Sequence, residues 1–159
     1  MPLTLIKDDI VNMKVDAIVN ITDKQLSGLS GVDLAIHKAA GPKLDEDCAK
    51  LAPLYVGKAR ITKGYNLPSK YVIHTVSPVW NGGNKDEIEL LKSCYKECLK
   101  LARFFRIESI AFPLIGKGEY GFPVDKAIKI AKEIITEFLK DNELNIYICI
   151  HNEESFNIS

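Results

Sequence analysis

Two glycine-containing loops are the residues of this sequence best suited to chemistry. The first loop, residues 21–33, follows a hydrophobic run and ends in Gly31-Val32-Asp33 at the start of a predicted helix. The second, residues 116–122, follows another hydrophobic run and precedes a helix that Pro123 begins. Glycine lets the main chain approach a ligand closely, and a helix N-terminus offers unpaired N–H groups. Each loop is predicted to hold a phosphate, so the pair indicates a diphosphate.

The second loop also has the spacing Gly116-x-Gly118-x-x-Gly121, which is found in dinucleotide-binding Rossmann folds. There the third glycine lies inside the helix, and an acidic residue follows about 20 positions later in a complete βαβ half. Here Pro123 places the helix start after Gly121, and a single strand-length run, residues 145–150, remains downstream. The half-domain is incomplete, and a tight strand-to-helix turn explains the glycines equally well.

Carboxylates near the first loop could activate water. Asp23 and Asp33 could position and polarise a water molecule for attack, as general bases do. Two carboxylates beside a diphosphate repel each other, so one of them is expected to titrate above its usual value. An acidic residue in the first turn of a helix is also favoured by the helix dipole alone, which is the structural alternative for Asp33.

The sequence predicts neither a metal site nor a cofactor. Cys94 and Cys98 share one helix face, but no second pair of ligands follows them, and the histidines are scattered along the chain. Zinc sites need four converging ligands, commonly in paired spacings. Small buried side chains explain the cysteines better, and all four are expected to be reduced.

Composition limits the class of protein. The 159 residues fit one domain spanning residues 1–159, and the 47% hydrophobic and 26% charged content is ordinary for a soluble fold. Twenty-one basic residues balance 21 acidic residues, so no overall field attracts nucleic acid. The sequence shows no membrane span and no signal peptide. We expect a cytoplasmic monomer without membrane or nucleic-acid partners.

Strand-length apolar runs alternate with helical patterns along the chain. Apolar residues recur at three- and four-residue steps from 88 to 102 and from 124 to 138, which indicates two helices packed on a sheet. Residues 65–70 are typical of a hairpin connection. The alternation predicts an α/β fold with a largely parallel sheet covered on both faces. The predicted strands are residues 3–7, 16–20, 58–63, 71–76, 109–115 and 145–150.

Several motifs in register resemble those of macrodomains, from about residue 5 to residue 150. They are Asp16-Ala17-Ile18-Val19-Asn20, Gly31-Val32-Asp33 with Ala35-Ile36-His37, residues 61–68, residues 71–76, and Gly118-Glu119-Tyr120-Gly121. The resemblance implies a three-layer α/β/α sandwich with a six-stranded mixed sheet and a cleft for ADP-ribose. Similar subfamilies remove ADP-ribose from proteins or deacetylate O-acetyl-ADP-ribose, whereas other members only bind the ligand.

The resemblance also implies how the ligand is held. Asp9 would accept a hydrogen bond from the adenine amino group beside the Ile10 backbone, although a solvated turn carboxylate is the alternative. Gly31 and Val32 would direct N–H groups at the diphosphate. The second loop would close over the diphosphate from the other side through Gly116, Lys117, Gly118, Glu119 and Tyr120.

The distal ribose would lie between the two loops. By resemblance, Asn20, Ile21 and Asp23 face this ribose, and Asp33 lies near the scissile bond. Tyr120 would hold the ribose through its ring and hydroxyl, or simply pack in its turn. His37, one helical turn after Asp33, is interpreted as a structural partner of that carboxylate.

The chain departs from the hydrolytic macrodomains at four places. Their Asn-Ala-Ala-Asn is Asn20-Ile21-Thr22-Asp23 here, so an amide that can donate becomes a carboxylate that only accepts. Their Gly-Gly-Gly-Gly is residues 28–31 here, and their Ser-Thr-Gly is residues 116–118. The aromatic platform for adenine corresponds to Ile150, or the stacking comes from Phe156.

The sequence therefore predicts an ADP-ribose-binding protein that uses Asp33, Asp23 and Tyr120 to hydrolyse conjugates of the distal ribose without a metal. The partners expected are ADP-ribosylated protein or O-acetyl-ADP-ribose. A non-catalytic reader of ADP-ribose is the alternative. A binder of RNA or poly(ADP-ribose) is disfavoured by the neutral charge.

Overall fold

The computed structural model describes residues 3–29 and 31–150. Within these residues the chain forms six strands and four α-helices. The strands are β1 Leu3–Ile6, β2 Ala17–Ile21, β3 Ala59–Lys63, β4 Tyr71–Thr75, β5 Ser109–Pro113 and β6 Asn145–Cys149. The helices are α1 Gly31–Ala40, α2 Pro42–Leu51, α3 Glu87–Phe104 and α4 Val124–Leu139.

The described strands form one mixed sheet in the order β1-β6-β5-β2-β4-β3. Neighbouring strands are parallel except for β3 and β4, which pair antiparallel as a hairpin. The hairpin connection predicted at residues 65–70 is confirmed. The predominantly parallel sheet is confirmed as well, and the antiparallel edge strand β3 makes it mixed.

Helices cover both faces of the sheet. On β2, Ala17 and Val19 pack with residues of α3 and α4, whereas Ile18 packs with residues of α1 and α2. This alternation follows from the two-residue repeat of a strand, and β2 is apolar except for Asn20 because both of its faces are buried. The result is the predicted three-layer α/β/α sandwich.

The connections create a crevice between β2 and β5, which are neighbours in the sheet. The chain leaves β2 through α1 and α2 toward β3 on one side, and it leaves β5 through α4 toward β6 on the other. Where connections diverge in this way, the carboxyl ends of the two strands are left uncovered, and such crevices bind ligands in open α/β sheets. Both glycine loops begin at this edge.

The observed boundaries differ slightly from the predicted ones. Strand β5 ends at Pro113, so the last two residues of the predicted run belong to the second loop, and α4 begins one residue after Pro123. Helix α2 was not predicted, because its buried stripe is only Leu44 and Cys48. All four cysteines are free and buried. No helix in the described part of the chain has the length and apolar character needed to cross a membrane.

Candidate functional site

A cleft of about 710 Å³ opens at the carboxyl ends of β2, β5 and β6. The N-terminus of α1 forms one wall, and a 3₁₀ turn, Gly118–Tyr120, forms the opposite wall. The strand order places β6 at one end of the cleft and β2 at the other, with β5 between them. The cleft therefore runs across three strands at the crevice that the topology creates.

Most residues predicted for the site line this cleft, and the structure adds others. The predicted residues that line it are Ile21, Asp23, Gly31, Val32, Asp33, Lys117, Gly118, Glu119, Tyr120 and Ile150. Sequence reasoning missed Thr22, Leu29, Pro113, Leu114 and Cys149. These five occupy loop or strand-end positions at the crevice, so the rule that ligands bind at diverging connections could have indicated them.

Four predicted residues do not line the cleft: Asp9, Ile10, Asn20 and Gly116. Ile10 is buried in the core. Gly116 is covered by Phe122, whose ring carbon lies 2.9 Å from the position that a Cβ at Gly116 would take. The predicted adenine platform Phe156 lies outside the described residues, as do Ser30 of the first loop and His151.

Two glycines face open space from opposite walls. Gly31 has φ +59° and Gly118 has φ +71°, a backbone region that L side chains rarely adopt, and a Cβ at either position would meet nothing within 4 Å. Gly31 begins α1, and the first N–H groups of a helix have no partner within it. Both walls thus let a ligand approach the main chain closely.

Asp33, in the first turn of α1, is surrounded by hydrogen-bond donors. Its Oδ1 accepts a hydrogen bond from Asn20 Nδ2 at 2.8 Å and lies 3.3 Å from His37 Nε2. Its Oδ2 accepts from Thr22 Oγ1 at 2.7 Å and from the Gly28 N–H at 3.0 Å. A carboxylate has about four lone-pair positions, so these four partners occupy its acceptor capacity.

These bonds keep Asp33 ionised. Burial alone would raise the pKa of Asp33, but hydrogen bonds from His37, Asn20 and Thr22 outweigh burial and hold it below its ordinary value. Repulsion between the two carboxylates was expected to raise the pKa of one of them, and Asp33 is not that carboxylate. It is a fixed negative charge that also ties the first loop to β2.

His37 is the charged partner of Asp33. The hydrogen bond to Asp33 contributes most to raising the pKa of His37 to about 10, and Cys48 and Asp45 add to the effect against the opposing effect of burial. The Nδ1–H of this imidazolium donates to Asp45 Oδ1 at 2.5 Å, while Nε2 faces Asp33. The interpretation of His37 as a structural partner agrees with this geometry.

Asn20 does not reach the cleft. It is fully buried at the end of β2, where its Nδ2 group donates to Asp33 and lies 3.1 Å from His74 Nδ1. Complete burial, and next the charge of His37, lower the pKa of His74 to about 3, so this imidazole is neutral. Its Nδ1 accepts from Asn20 and its Nε2–H donates to Thr62 Oγ1 at 2.9 Å. The expectation that Asn20 faces the ribose is corrected: it positions Asp33.

The carboxylate of Asp23 is used within its own loop. Its Oδ1 accepts from the N–H groups of Gln25 at 3.0 Å and Ser27 at 3.1 Å, and its Oδ2 accepts from the Ser27 hydroxyl. Asp23 is nevertheless exposed and lines the cleft. The side chain closes a turn whose backbone carries the first loop toward Gly28.

Tyr120 lies at the same end of the cleft as the two carboxylates. Burial, then the charge of Glu119, and then those of Asp33 and Asp23 raise the pKa of Tyr120. The hydroxyl therefore carries its proton and can donate a hydrogen bond. The main-chain carbonyl of Tyr120 accepts a hydrogen bond from the Trp80 N–H at 2.8 Å, which anchors the turn.

The other end of the cleft, beside β6, is apolar. Cys149 and Ile150 line it, and both are almost fully buried. Burial and the charges of Asp8 and Asp9 raise the pKa of Cys149 to about 12. Ile6, at the end of β1, pairs with Cys149, and Asp9 follows three residues later without lining the cleft. Asp9 caps a short 3₁₀ turn by accepting from the Val11 N–H at 3.2 Å.

Metal ligands do not converge at the cleft or elsewhere in residues 3–29 and 31–150, where no three His, Cys, Asp or Glu side chains are arranged to hold an ion. Lys117 supplies a cation to the cleft wall, opposite α1. The arrangement offers main-chain donors from two sides, a lysine, a phenol hydroxyl and an ionised carboxylate. This set suits an anionic ligand with a polar group beside Asp33.

Comparisons with known proteins identify what the chain is similar to. Residues 19–131 match the sequence model of the family described as Macro domain. A Macro domain-containing protein of Methanosarcina mazei is 51% identical over 155 residues, which cover 96% of this chain and 83% of that protein. The ADP-ribose glycohydrolase MACROD2 of Homo sapiens is 45% identical over 98% of this chain, which spans 38% of that longer protein.

Solved structures agree with the sequence comparisons. A macrodomain of Oceanobacillus iheyensis with ADP superposes with a TM-score of 0.92 at 36% identity, covering 97% of this chain and 85% of that one. A macrodomain of Trypanosoma brucei in complex with ADP-ribose gives a TM-score of 0.90 at 34% identity, covering 98% of this chain and 66% of that one.

Proposed function

This chain belongs to the macro domain family, and on that premise we propose that its cleft binds ADP-ribose and hydrolyses conjugates attached to the distal ribose. The two main-chain walls carry the proposal. Gly31 and Gly118 face the same open cleft with positive φ and no neighbour at the Cβ position. Two places where a ligand can come close to the main chain suit the two phosphates of a diphosphate better than they suit one phosphate or a neutral ligand.

The strand order gives the ligand a direction. The apolar end at Cys149 and Ile150, with Asp9 nearby, suits adenine and its amino group. The opposite end holds Asp23, Asp33 and Tyr120, which suit the hydroxyl groups of the distal ribose. With the diphosphate between the two glycine walls, the anomeric carbon of the distal ribose lies at the polar end.

The proposed reaction is attack by water at the distal ribose. A water oxygen bonds to the anomeric carbon while the bond to the modified side chain breaks and one proton passes to the leaving group. For O-acetyl-ADP-ribose the water oxygen bonds to the ester carbonyl carbon instead, the bond between that carbon and the ribose oxygen breaks, and the ribose oxygen takes the proton as acetate is released. The bound diphosphate orients the water, and the Tyr120 hydroxyl donates to the ribose.

The structure changes the role given to Asp33. Its carboxylate is ionised and its acceptor positions are occupied, so a fixed negative charge fits better than a general base. A carboxylate near the anomeric carbon stabilises the positive charge that develops as the glycosidic bond breaks. The positive charge on the ribose develops only as the bond breaks, so the fixed charge of Asp33 stabilises the transition state more than the ground state, and this difference raises the rate.

A non-catalytic reader of ADP-ribose is the second candidate. One observation favours it: both acidic groups of the polar end already accept hydrogen bonds from the protein, Asp33 from four partners and Asp23 from its own loop. Neither carboxylate is available as a base unless a partner moves aside. The same cleft would then bind modified protein without cleaving it.

A turnover assay distinguishes the two candidates. We expect the purified chain to release ADP-ribose from a mono-ADP-ribosylated protein, or acetate from O-acetyl-ADP-ribose, faster than buffer alone. The Gly31→Glu variant, whose cleft is blocked, is the matched background control. Binding of ADP-ribose with no release from either substrate would identify a reader and reject the hydrolase.

A further inference from the structure

We propose that one face of α3, formed by Glu87, Leu91 and Tyr95, positions the second loop for ligand binding; this inference rests on the proposed function. The three residues are four positions apart, so they lie on the same side of the helix. None of them lines the cleft. They are positioning residues that act on the ligand through residues 115–122.

Tyr95 holds the start of the loop. Its side chain is fully buried, and its hydroxyl accepts a hydrogen bond at 3.1 Å from the N–H of Ile115, the residue before Gly116. Ile115 is itself fully buried, so water cannot replace the hydroxyl as acceptor without opening the core. This bond fixes the main chain at the point where it leaves β5 and turns toward the cleft.

Leu91 packs against the next residue of the loop. Its Cδ2 lies 3.3 Å from the position that a Cβ at Gly116 would take, and Cδ1 of the Phe122 ring lies 2.9 Å from the same position. The Phe122 N–H donates to the Gly116 carbonyl at 3.0 Å, which closes the loop on itself. The backbone of Gly116 is thus fixed between α3 and the far end of its own loop.

Glu87 restrains the far end of the second loop indirectly, through the segment of residues 80–86. Its carboxylate is buried and accepts from the N–H groups of Asn81, Gly83 at 3.1 Å and Lys85 at 2.7 Å. These bonds fix the segment that follows Trp80. Burial would raise the pKa of Glu87, but the main-chain donors hold it below its ordinary value, so the group is an anion.

Trp80 transmits this restraint to the cleft wall. Its N–H donates to the Tyr120 carbonyl at 2.8 Å, and its ring lies 5.2 Å from the Phe122 ring, centre to centre. Gly83 packs on the edge of the indole: a Cβ at Gly83 would lie 3.2 Å from the nearest ring carbon of Trp80. Glu87 therefore determines where Trp80 lies, and Trp80 determines where Tyr120 lies.

Together, the α3 contacts restrain both ends of the turn that carries Lys117, Gly118 and Tyr120. A loop that is ordered before binding loses less conformational entropy when the ligand arrives. Weakening an α3 contact should then reduce ligand affinity although no group that touches the ligand has changed. A purely structural role would lower stability and leave affinity unchanged.

Tyr95→Phe and Glu87→Gln test the inference, because each keeps the shape of the side chain. Ser93→Ala is the matched control: Ser93 Oγ, also on α3, donates to the Gly57 carbonyl at 2.8 Å in a loop that does not line the cleft. Two quantities are measured for each folded protein: ADP-ribose affinity by calorimetry, and amide hydrogen exchange of ligand-free residues 115–122 with residues 23–29 as the internal reference.

We expect both α3 variants to exchange faster at residues 115–122 and to bind ADP-ribose about fivefold more weakly, while Ser93→Ala changes neither quantity. Unchanged affinity in either folded variant, or an equal loss in Ser93→Ala, would overturn the inference. If Glu87→Gln does not fold, Tyr95→Phe alone decides. If the unmodified chain does not bind ADP-ribose, the proposed function fails, and hydrogen exchange still shows whether α3 orders the loop.

Discussion

His37 Nε2 lies 3.3 Å from the carboxylate of Asp33, one helical turn earlier on α1. The ring centre of a second histidine, His74, lies 6.4 Å from that of His37. His37 is charged, whereas His74 is neutral. The pKa of His37 is raised to about 10 and the pKa of His74 is lowered to about 3. The cleft is thus built on one charged and one neutral imidazole, and each should give stability its own pH dependence.

The alkaline side of the stability profile should belong to His37. A group whose pKa is raised on folding stabilises fully below its unfolded pKa of about 6.5 and loses this contribution as pH rises toward about 10. We expect the free energy of unfolding, measured in urea, to fall from pH 6.5 to 8, below the range in which the buried cysteines, whose pKa values are also raised, add a decline of their own. In His37→Gln this decline should be much smaller. An equal decline in both proteins would show that the pair with Asp33 is not the cause.

The acid side should belong mainly to His74. Its pKa is lowered on folding, so its contribution is complete above about 6.5 and is lost as pH falls toward about 3, because the unfolded chain binds the proton. Urea unfolding of His74→Asn should therefore show a flatter profile between pH 6.5 and 4 than the parent protein. Ser93→Ala, whose hydroxyl bonds only to the Gly57 carbonyl away from both histidines, serves as the control that keeps this slope. A parent protein equally stable at pH 4.5 and 6.5 would contradict the assignment of a neutral His74.

Replacing Gly31 by Glu should abolish detectable ADP-ribose binding while the protein stays folded. The side chain would enter the open cleft and bring a negative charge to the diphosphate position. Gly41→Glu is a matched control, since Gly41 has φ +95°, a Cβ there would meet only the side chain of Asn66, and the residue lies outside the cleft. Calorimetry and a thermal melt of both variants provide the measurement. Unchanged affinity in folded Gly31→Glu would remove the first loop from the site.

The charge of Asp23 should oppose the diphosphate. In Asp23→Asn the amide oxygen can still accept from the N–H groups of Gln25 and Ser27, and the amide nitrogen can donate to the Ser27 hydroxyl, so the turn is kept and only the charge is lost. We expect ADP-ribose binding to tighten by about 1 kcal/mol at low salt and by less at high salt.

Asp23→Ala is the comparison for that experiment, because it removes both the charge and the turn and should weaken binding. Turnover adds a second test: if Asp23 orients the attacking water, Asp23→Asn lowers the rate while it tightens binding. An affinity that does not respond to Asp23→Asn at any salt concentration would mean that its carboxylate acts only within its own loop.

The fold was predictable because its signals are local. Strands such as β2 are apolar on both faces, and glycines followed by helical patterns identify the two loops and the crevice between them. Helix α2 escaped prediction because its buried stripe is two residues, Leu44 and Cys48. Element boundaries shifted by one or two residues, since the ends of strands depend on which neighbour they pair with.

The site was predictable at its glycines and less so at its polar side chains. A positive φ favours glycine at that position whatever its neighbours are, so a residue such as Gly31 can be recognised from the sequence alone. The direction of Asn20 and the bonding of Asp33 depend on His74, which is 54 positions away from Asn20 in sequence. Residues that only folding brings together show no characteristic spacing in the sequence. The buried network of Asn20, Asp33 and His74 could therefore be found only in the structure.

Calorimetric titration with ADP-ribose, AMP and NAD tests the central claim most directly. We predict one ADP-ribose bound per chain, with AMP and NAD binding much more weakly, because the two glycine walls suit a diphosphate and the polar end suits a distal ribose that is free or joined to acetate or to a modified side chain. The Gly31→Glu protein should give no heat of binding with any of the three. NAD binding as tightly as ADP-ribose, or AMP binding equally well, would contradict the assignment of this cleft.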